Sequence, residues 1–189
     1  MDQSGRLIIG YHGCEEKFAH KLLLGQKKIS EWRPSNNRYD WLGQGIYFWE
    51  HSPDRALRWA EFMQPKRQTV IGSYIQLGKC FDLLNESITM LLKKTYEEAR
   101  KAFADSHEPM PENHGKSKDR RYRDLDSYII NKCLEDMRVE GKTWDTVRGA
   151  FLEGKPVYPG AGFSIESHIQ IAERNSACIL GVFQPNIRL

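Results

Sequence analysis

Ser35-Asn36-Asn37-Arg38-Tyr39-Asp40-Trp41-Leu42-Gly43-Gln44-Gly45-Ile46-Tyr47-Phe48 is the stretch on which the fold turns. Its first half belongs to Ser30–Leu42, which carries Pro34 and paired asparagines and reads as loop, with Trp32, Tyr39 and Trp41 embedded in it. Its second half runs through two glycines into an aromatic segment, Gly45–Trp49, that reads as a short strand. Gly43 and Gly45 open the backbone where that strand begins. Alone, the pattern is a glycine bend feeding core aromatics. It is not a dinucleotide-binding Gly-x-Gly-x-x-Gly fingerprint, because the third glycine and the βαβ setting are missing.

Upstream, Arg6–Tyr11 reads as a strand that ends at His12-Gly13, and Glu15–Leu24 as a helix stopped by Gly25. Downstream, Ser52-Pro53-Asp54 starts a helix that ends before Pro65. Gln68–Leu77 is β-branched and aromatic, a strand continued by Cys80–Leu83. Glu86–Ala104 and Leu125–Val139 read as amphipathic helices, and Trp144–Leu152 as a short third one. Asp105–Arg123 is polar and reads as a surface loop. Two strands, Ser167–Ala172 and Ala177–Phe183, close the chain around a turn at Arg174-Asn175-Ser176. The class is α+β: a split mixed or antiparallel sheet around a cleft, with a helical insertion in the middle, forming one domain over 1–189.

The 189 residues are 40% hydrophobic and 28% charged, which places the chain with globular proteins. No apolar run approaches a bilayer span, and no secretory leader is legible, so the expectation is a cytoplasmic protein without a membrane partner. Cys14, Cys80, Cys133 and Cys178 are widely spaced, without a Cys-x-x-Cys pair, so reduced thiols are expected and no metal site. A net charge of +3 permits a nucleic-acid partner without demanding one.

His12-Gly13 is the other informative pair. A histidine beside a glycine at a strand end can aim a ring nitrogen at a ligand whose approach the glycine allows. Together with Ser35–Phe48 and the helix Arg55-Ala56-Leu57-Arg58-Trp59-Ala60, it resembles the catalytic domain of ADP-ribosyltransferases of the His-Tyr-Glu type. The likeness is specific at His12-Gly13 and Gly43–Phe48, and loose over Glu86–Leu152, where it follows bacterial toxin-like members. It implies that NAD is the co-substrate. His12 would then bond the adenosine ribose hydroxyl, Gly13 would hold the nicotinamide amide through its backbone, Gly45 would line the pocket, and Tyr47 would stack on nicotinamide. Trp59 is the nearest match to a second stacking aromatic. Where members carry a serine facing the nicotinamide amide, Ser52 comes too early and Arg55 stands at the matching spacing.

The third catalytic position in the family is a glutamate on a late strand, here Ser167–Ala172. Alternation puts Ile169 and Ile171 toward the core and His168, Gln170 and Ala172 toward the cleft. Gln170 is favoured, since bacterial relatives carry a Gln-Ile pair there; His168, Glu166 and Glu173 are the alternatives. A glutamine orients a ribose but supplies no charge to an oxocarbenium-like transition state, which fits transfer of a single ADP-ribose.

The acceptor is RNA or protein. The basic run Lys116–Arg123 is either a solvated charge run or a phosphate-tracking patch around Tyr122. Arg148 either reaches NAD phosphates or forms a local ion pair on a helix surface. The chain is also similar to an mRNA-modifying toxin of a bacterial toxin–antitoxin–chaperone defence system, which favours RNA and implies a protein antitoxin. Rival expectations are a catalytically silent NAD or ADP-ribose binding module, an NAD-dependent RNA 2′-phosphotransferase, and a plain RNA-binding protein.

Overall fold

Strand β1 (Leu7–Glu15) does not stop at His12; it runs on through Gly13 for a further two residues. A computed structural model of the chain describes residues 5–37, 40–63, 67–115 and 122–186. After β1 come α1 (Glu16–Leu23), β2 (Ile46–Glu50), α2 (Pro53–Met63), β3 (Gln68–Gln76), β4 (Cys80–Asp82), α3 (Glu86–Ser106), β5 (Asn113–His114) and β6 (Tyr122–Arg123). The chain continues with α4 (Asp124–Val139), β7 (Thr146–Phe151), β8 (His168–Glu173) and β9 (Ile179–Phe183). The fold is α+β, with a seven-stranded sheet in the order β4-β7-β8-β2-β1-β3-β9. Only the β4/β7 pair is parallel among the described strands.

Four segments depart from the sequence pattern. Asp105–Arg123, expected as a surface loop, carries the short antiparallel pair β5/β6. Trp144–Leu152 is not a helix: Thr146–Phe151 is strand β7, hydrogen-bonded to β4 and β8. Cys80–Leu83 does not continue β3. Gly78, at φ 58°, turns the chain, and β4 lies at the opposite edge of the sheet from β3 and β9. Nor do β8 and β9 pair with each other: β8 sits between β2 and β7, while β9 forms the far edge beside β3. No helix among the described residues is long and apolar enough to cross a membrane.

The sheet parts at its middle. β1 pairs with β3 from Leu7–Gln76 to Glu15–Gln68, yet with β2 only at Gly10–Glu50 and Tyr11–Trp49. Beyond those pairs the strands diverge, and the segment around Trp32–Ser35 enters the gap, with Ser35 exchanging backbone hydrogen bonds with Gly45. One apolar core lies beside β1 and β3 (Ile8, Leu22, Trp32, Phe48, Ile71, Ile75). A second lies under α3 and α4 (Leu42, Phe81, Ile130, Cys133, Val147, Ala172). The helical insertion also holds the glycine turn. Asn131 of α4 accepts the Gln44 N–H at 3.0 Å and an Arg174 N–H at 3.1 Å, and Arg174 also donates to the Gln44 carbonyl at 2.7 Å. Gly43 sits there at φ 74°, where a Cβ would come within 2.6 Å of the Asn131 amide oxygen.

Candidate active site

The gap between β1 and β2 opens into a cavity of about 780 Å³, a size suited to a nucleotide-scale ligand. His12 stands at its head. Its Nδ1 lies 2.7 Å from the Tyr47 carbonyl, which can only accept, so Nδ1 carries the proton and Nε2 presents a lone pair. Trp32 meets the ring edge-on at 4.8 Å, with Phe48 at 5.8 Å and Phe18 at 6.4 Å. Burial lowers the imidazole to about 4, against the smaller opposing effect of the Tyr47 hydrogen bond, so it is neutral at physiological pH.

Gly13 is a glycine for packing as well as for access. A Cβ there would collide with the Ala56 carbonyl of α2 and sit 2.9 Å from the Ala60 Cβ. On the β2 side, the His51 N–H donates to the Ile9 carbonyl. Backbone groups alternate sides along a strand, so those of Gly13 face the same side, past the point where the β1/β2 ladder ends. Gly45 lines the cavity from β2's approach, with Ala172 too close behind it for any side chain.

Tyr47 is fixed at its hydroxyl, which donates to the Gly43 carbonyl at 2.5 Å and accepts from the Leu42 N–H at 2.9 Å. Burial keeps the phenol protonated, leaving the ring as a wall of the cavity. From the neighbouring strand Gln170 lines the same cavity, while His168 is buried behind it against Trp41 and Phe151. Alternation along β8 is as the pattern demands, with Ile171 in the apolar core and Gln170 at the cavity; Ala172, however, packs into the second core rather than a cleft. Glu166 lies before the strand and also lines the cavity. Glu173 does not: it is 1% exposed and accepts the Asn175 N–H at 3.0 Å.

α2 forms the opposite wall. Trp59 lies 6.1 Å from both Trp49 and Phe62, and all three line the cavity. Arg55 is held by Glu153 and by Glu166, the latter at 3.5 Å. Trp49 Nε1 and Arg55 Nε are buried without a hydrogen-bond partner among the described residues. Two orphaned donors beside one cavity suit a ligand that brings acceptors. Lys27, Arg33 and Arg58 add positive charge. Cys14 also lines the wall, but burial raises its thiol to about 12, which makes it inert as a nucleophile.

Neither a family model, nor a curated protein, nor a solved structure matches the chain.

Arg148 is not at the cavity, and its ion pairs are not local. On β7 it is 5% exposed and binds Glu50 at 2.7 Å and Asp82 at 3.1 Å, carboxylates from β2 and β4. Buried between them, its guanidinium is spent on joining three strands. Of the basic run Lys116–Arg123, residues 116–121 lie outside the described residues. Arg123, at its end, sits 4.3 Å over the Trp41 ring. Sequence reasoning missed Asp40, Trp49, Arg58 and Glu153 as lining residues. Asp40 had a signal: Ser35-x-Asn37-x-x-Asp40 is a turn motif, in which Asp40 accepts the Ser35 hydroxyl at 2.8 Å and the Asn37 N–H at 2.5 Å.

Proposed function

We propose that this chain is a mono-ADP-ribosyltransferase of split-sheet fold that cleaves NAD and passes its ADP-ribose to a macromolecular acceptor. The observation that carries this is the convergence of His12, Gly13, Tyr47 and Gln170 on one cavity at the point where β1 and β2 part. Each group suits its role. The His12 lone pair accepts from a ribose hydroxyl, the Gly13 edge holds a carboxamide, and the Tyr47 ring offers a stacking face. NAD is a substrate here. Its diphosphate and carboxamide bring the acceptors that Trp49 Nε1 and Arg55 Nε lack, with Lys27, Arg33 and Arg58 nearby for charge.

In the reaction the C1′–N bond breaks, its electron pair returns to the nicotinamide ring, and an acceptor oxygen or nitrogen bonds C1′ and gives up a proton. Gln170 orients the ribose without charge, which confines the chemistry to one transfer. RNA is favoured over protein as acceptor, in a cytoplasmic bacterial toxin or phage-defence effector that a protein antitoxin would block. The test is incubation with labelled NAD and cell extract, followed by protease or nuclease. Wild type should release nicotinamide and leave label on a nuclease-sensitive product, and Tyr47→Ala should reduce release at least about tenfold. No nicotinamide from the wild type, with extract present, sinks the proposal. The uncharged Gln170 favours one second reading, a silent NAD or ADP-ribose binding module, which would bind NAD in calorimetry and leave it intact.

A further inference from the structure

A chain of three hydrogen-bonding groups determines which end of the Gln170 amide faces the cavity. His168 Nδ1 lies 2.7 Å from the Glu166 carbonyl. A carbonyl only accepts, so the proton of the neutral ring is on Nδ1 and Nε2 carries a lone pair. That lone pair lies 3.0 Å from Gln170 Nε2, which therefore donates to it. With the NH₂ arm engaged, the Gln170 carbonyl oxygen occupies the other arm of the amide plane, on a side chain that lines the cavity. Both residues are 8% exposed, so water does not compete for the arrangement. Resting on the NAD-cleaving reading above, we propose that His168 is a positioning residue that holds the Gln170 amide with its oxygen toward a ribose hydroxyl of the bound dinucleotide. An uncharged side chain then offers the hydroxyl an acceptor, as a carboxylate would, and never a donor.

The ring stays neutral for reasons around it. Burial lowers its affinity for protons most, and Arg55 of α2 adds to this; Glu166, before β8, opposes through its carbonyl and its carboxylate. Glu153, following β7, lies 3.8 Å from Nδ1, its carboxylate already held by Arg55. Trp41 and Phe151 close the rest of the ring's surroundings at 6.1 and 5.7 Å.

The consequence runs against intuition. Gln170→Glu installs a carboxylate yet faces the His168 lone pair with another lone pair. The repulsion is relieved when the pair takes up one proton, on Nε2 or on the carboxyl. In Gln170→Glu the His168 affinity for protons should therefore rise, and nicotinamide release should fall about tenfold at alkaline pH and recover toward acid. His168→Phe, which keeps the ring shape without the lone pair, should lower turnover by a similar factor with NAD affinity nearly unchanged. His168→Gln, which restores an acceptor, should recover part of it. Circular dichroism and thermal melting check that each variant folds. Nitrogen NMR of labelled wild type should show His168 as the neutral Nδ1–H tautomer, and in Gln170→Glu should show it titrating at higher pH. These two spectra need no turnover, so a wild type that ignores NAD overturns the enzyme reading while the spectra still judge the positioning. An Nε2–H tautomer in the wild type overturns the inference. So does a Gln170→Glu enzyme as active as wild type at alkaline pH.

Discussion

Among the described residues His12, His168 and Glu173 are groups that burial keeps neutral at pH values where they ordinarily carry charge, and Glu173 stands apart from the cavity. His12 and His168 are lowered to about 4 by burial and present lone pairs that a proton would abolish. Glu173, one residue beyond the strand face that serves the site, is raised by burial to about 8. One of its oxygens accepts the Asn175 N–H; the other, Oε2, is buried without a partner among the described residues. The folded state therefore keeps the Glu173 proton up to about 8, whereas the unfolded chain releases it near 4.5. Between those values the folded state binds more protons, so this group lowers stability as pH rises. Glu173→Gln keeps an acceptor for Asn175 and cannot ionise. It should be near neutral in stability at or below a pH of about 4.5, then increasingly stabilising as pH rises, by about 2 kcal/mol or more at about 8. Urea melts of both proteins across pH check this. Equal profiles would show that Glu173 ionises in the fold as freely as in the unfolded chain.

At the scale of elements, the contact between β1 and α2 decides the width of the site. Gly13→Ala pushes a methyl into the Ala56 carbonyl and the Ala60 side chain. α2 must then move, and with it Arg55, Arg58 and Trp59, which line the cavity. The expected cost is about 1–3 kcal/mol, read as a lowered urea midpoint, with weakened NAD binding beside it. Gly162→Ala, where a Cβ meets nothing within 4 Å, is the control and should leave the midpoint unchanged. Elements whose periodicity was strong were legible from the sequence: α1, α2, α3 and α4, and the strands β2, β3 and β8. β7 was not. Trp144, Val147 and Phe151 recur at helical intervals, and Arg148 reads as a surface residue. Its burial rests on Glu50 and Asp82, which reach it from strands far away in sequence. The site divides in the same way. His12, Gly13 and Tyr47 announce themselves in short motifs, and Trp49 follows Tyr47 on β2, whereas Arg58 and Glu153 join them only through α2 and the loop after β7.

For the molecule as a whole, the cavity exists only in the folded state. Its walls come from β1, β2, β8 and α2, with Trp32, Arg33, Asp40 and Trp41 and the segment between β7 and β8 completing it. An unfolded chain cannot reproduce that convergence, so a ligand seated there stabilises by mass action. At a hundred times its dissociation constant, NAD should add about 2.7 kcal/mol. For a chain of 189 residues, each kcal/mol is worth about 2–4 °C in Tm. A rise of about 5–10 °C is therefore expected. On the proposed NAD reading ADP-ribose should give most of it, because Lys27, Arg33, Arg58 and the His12 lone pair would serve the ribose–diphosphate half. Nicotinamide alone should give little, since the Tyr47 face and the Gly13 edge offer one stack and one pair of hydrogen bonds. His12→Ala should shrink the ADP-ribose shift more than the small nicotinamide shift, because the proposed role of its lone pair is toward a ribose hydroxyl. If neither NAD nor ADP-ribose moves the melt of a well-folded wild type, the parting of β1 and β2 is filled by something other than a dinucleotide.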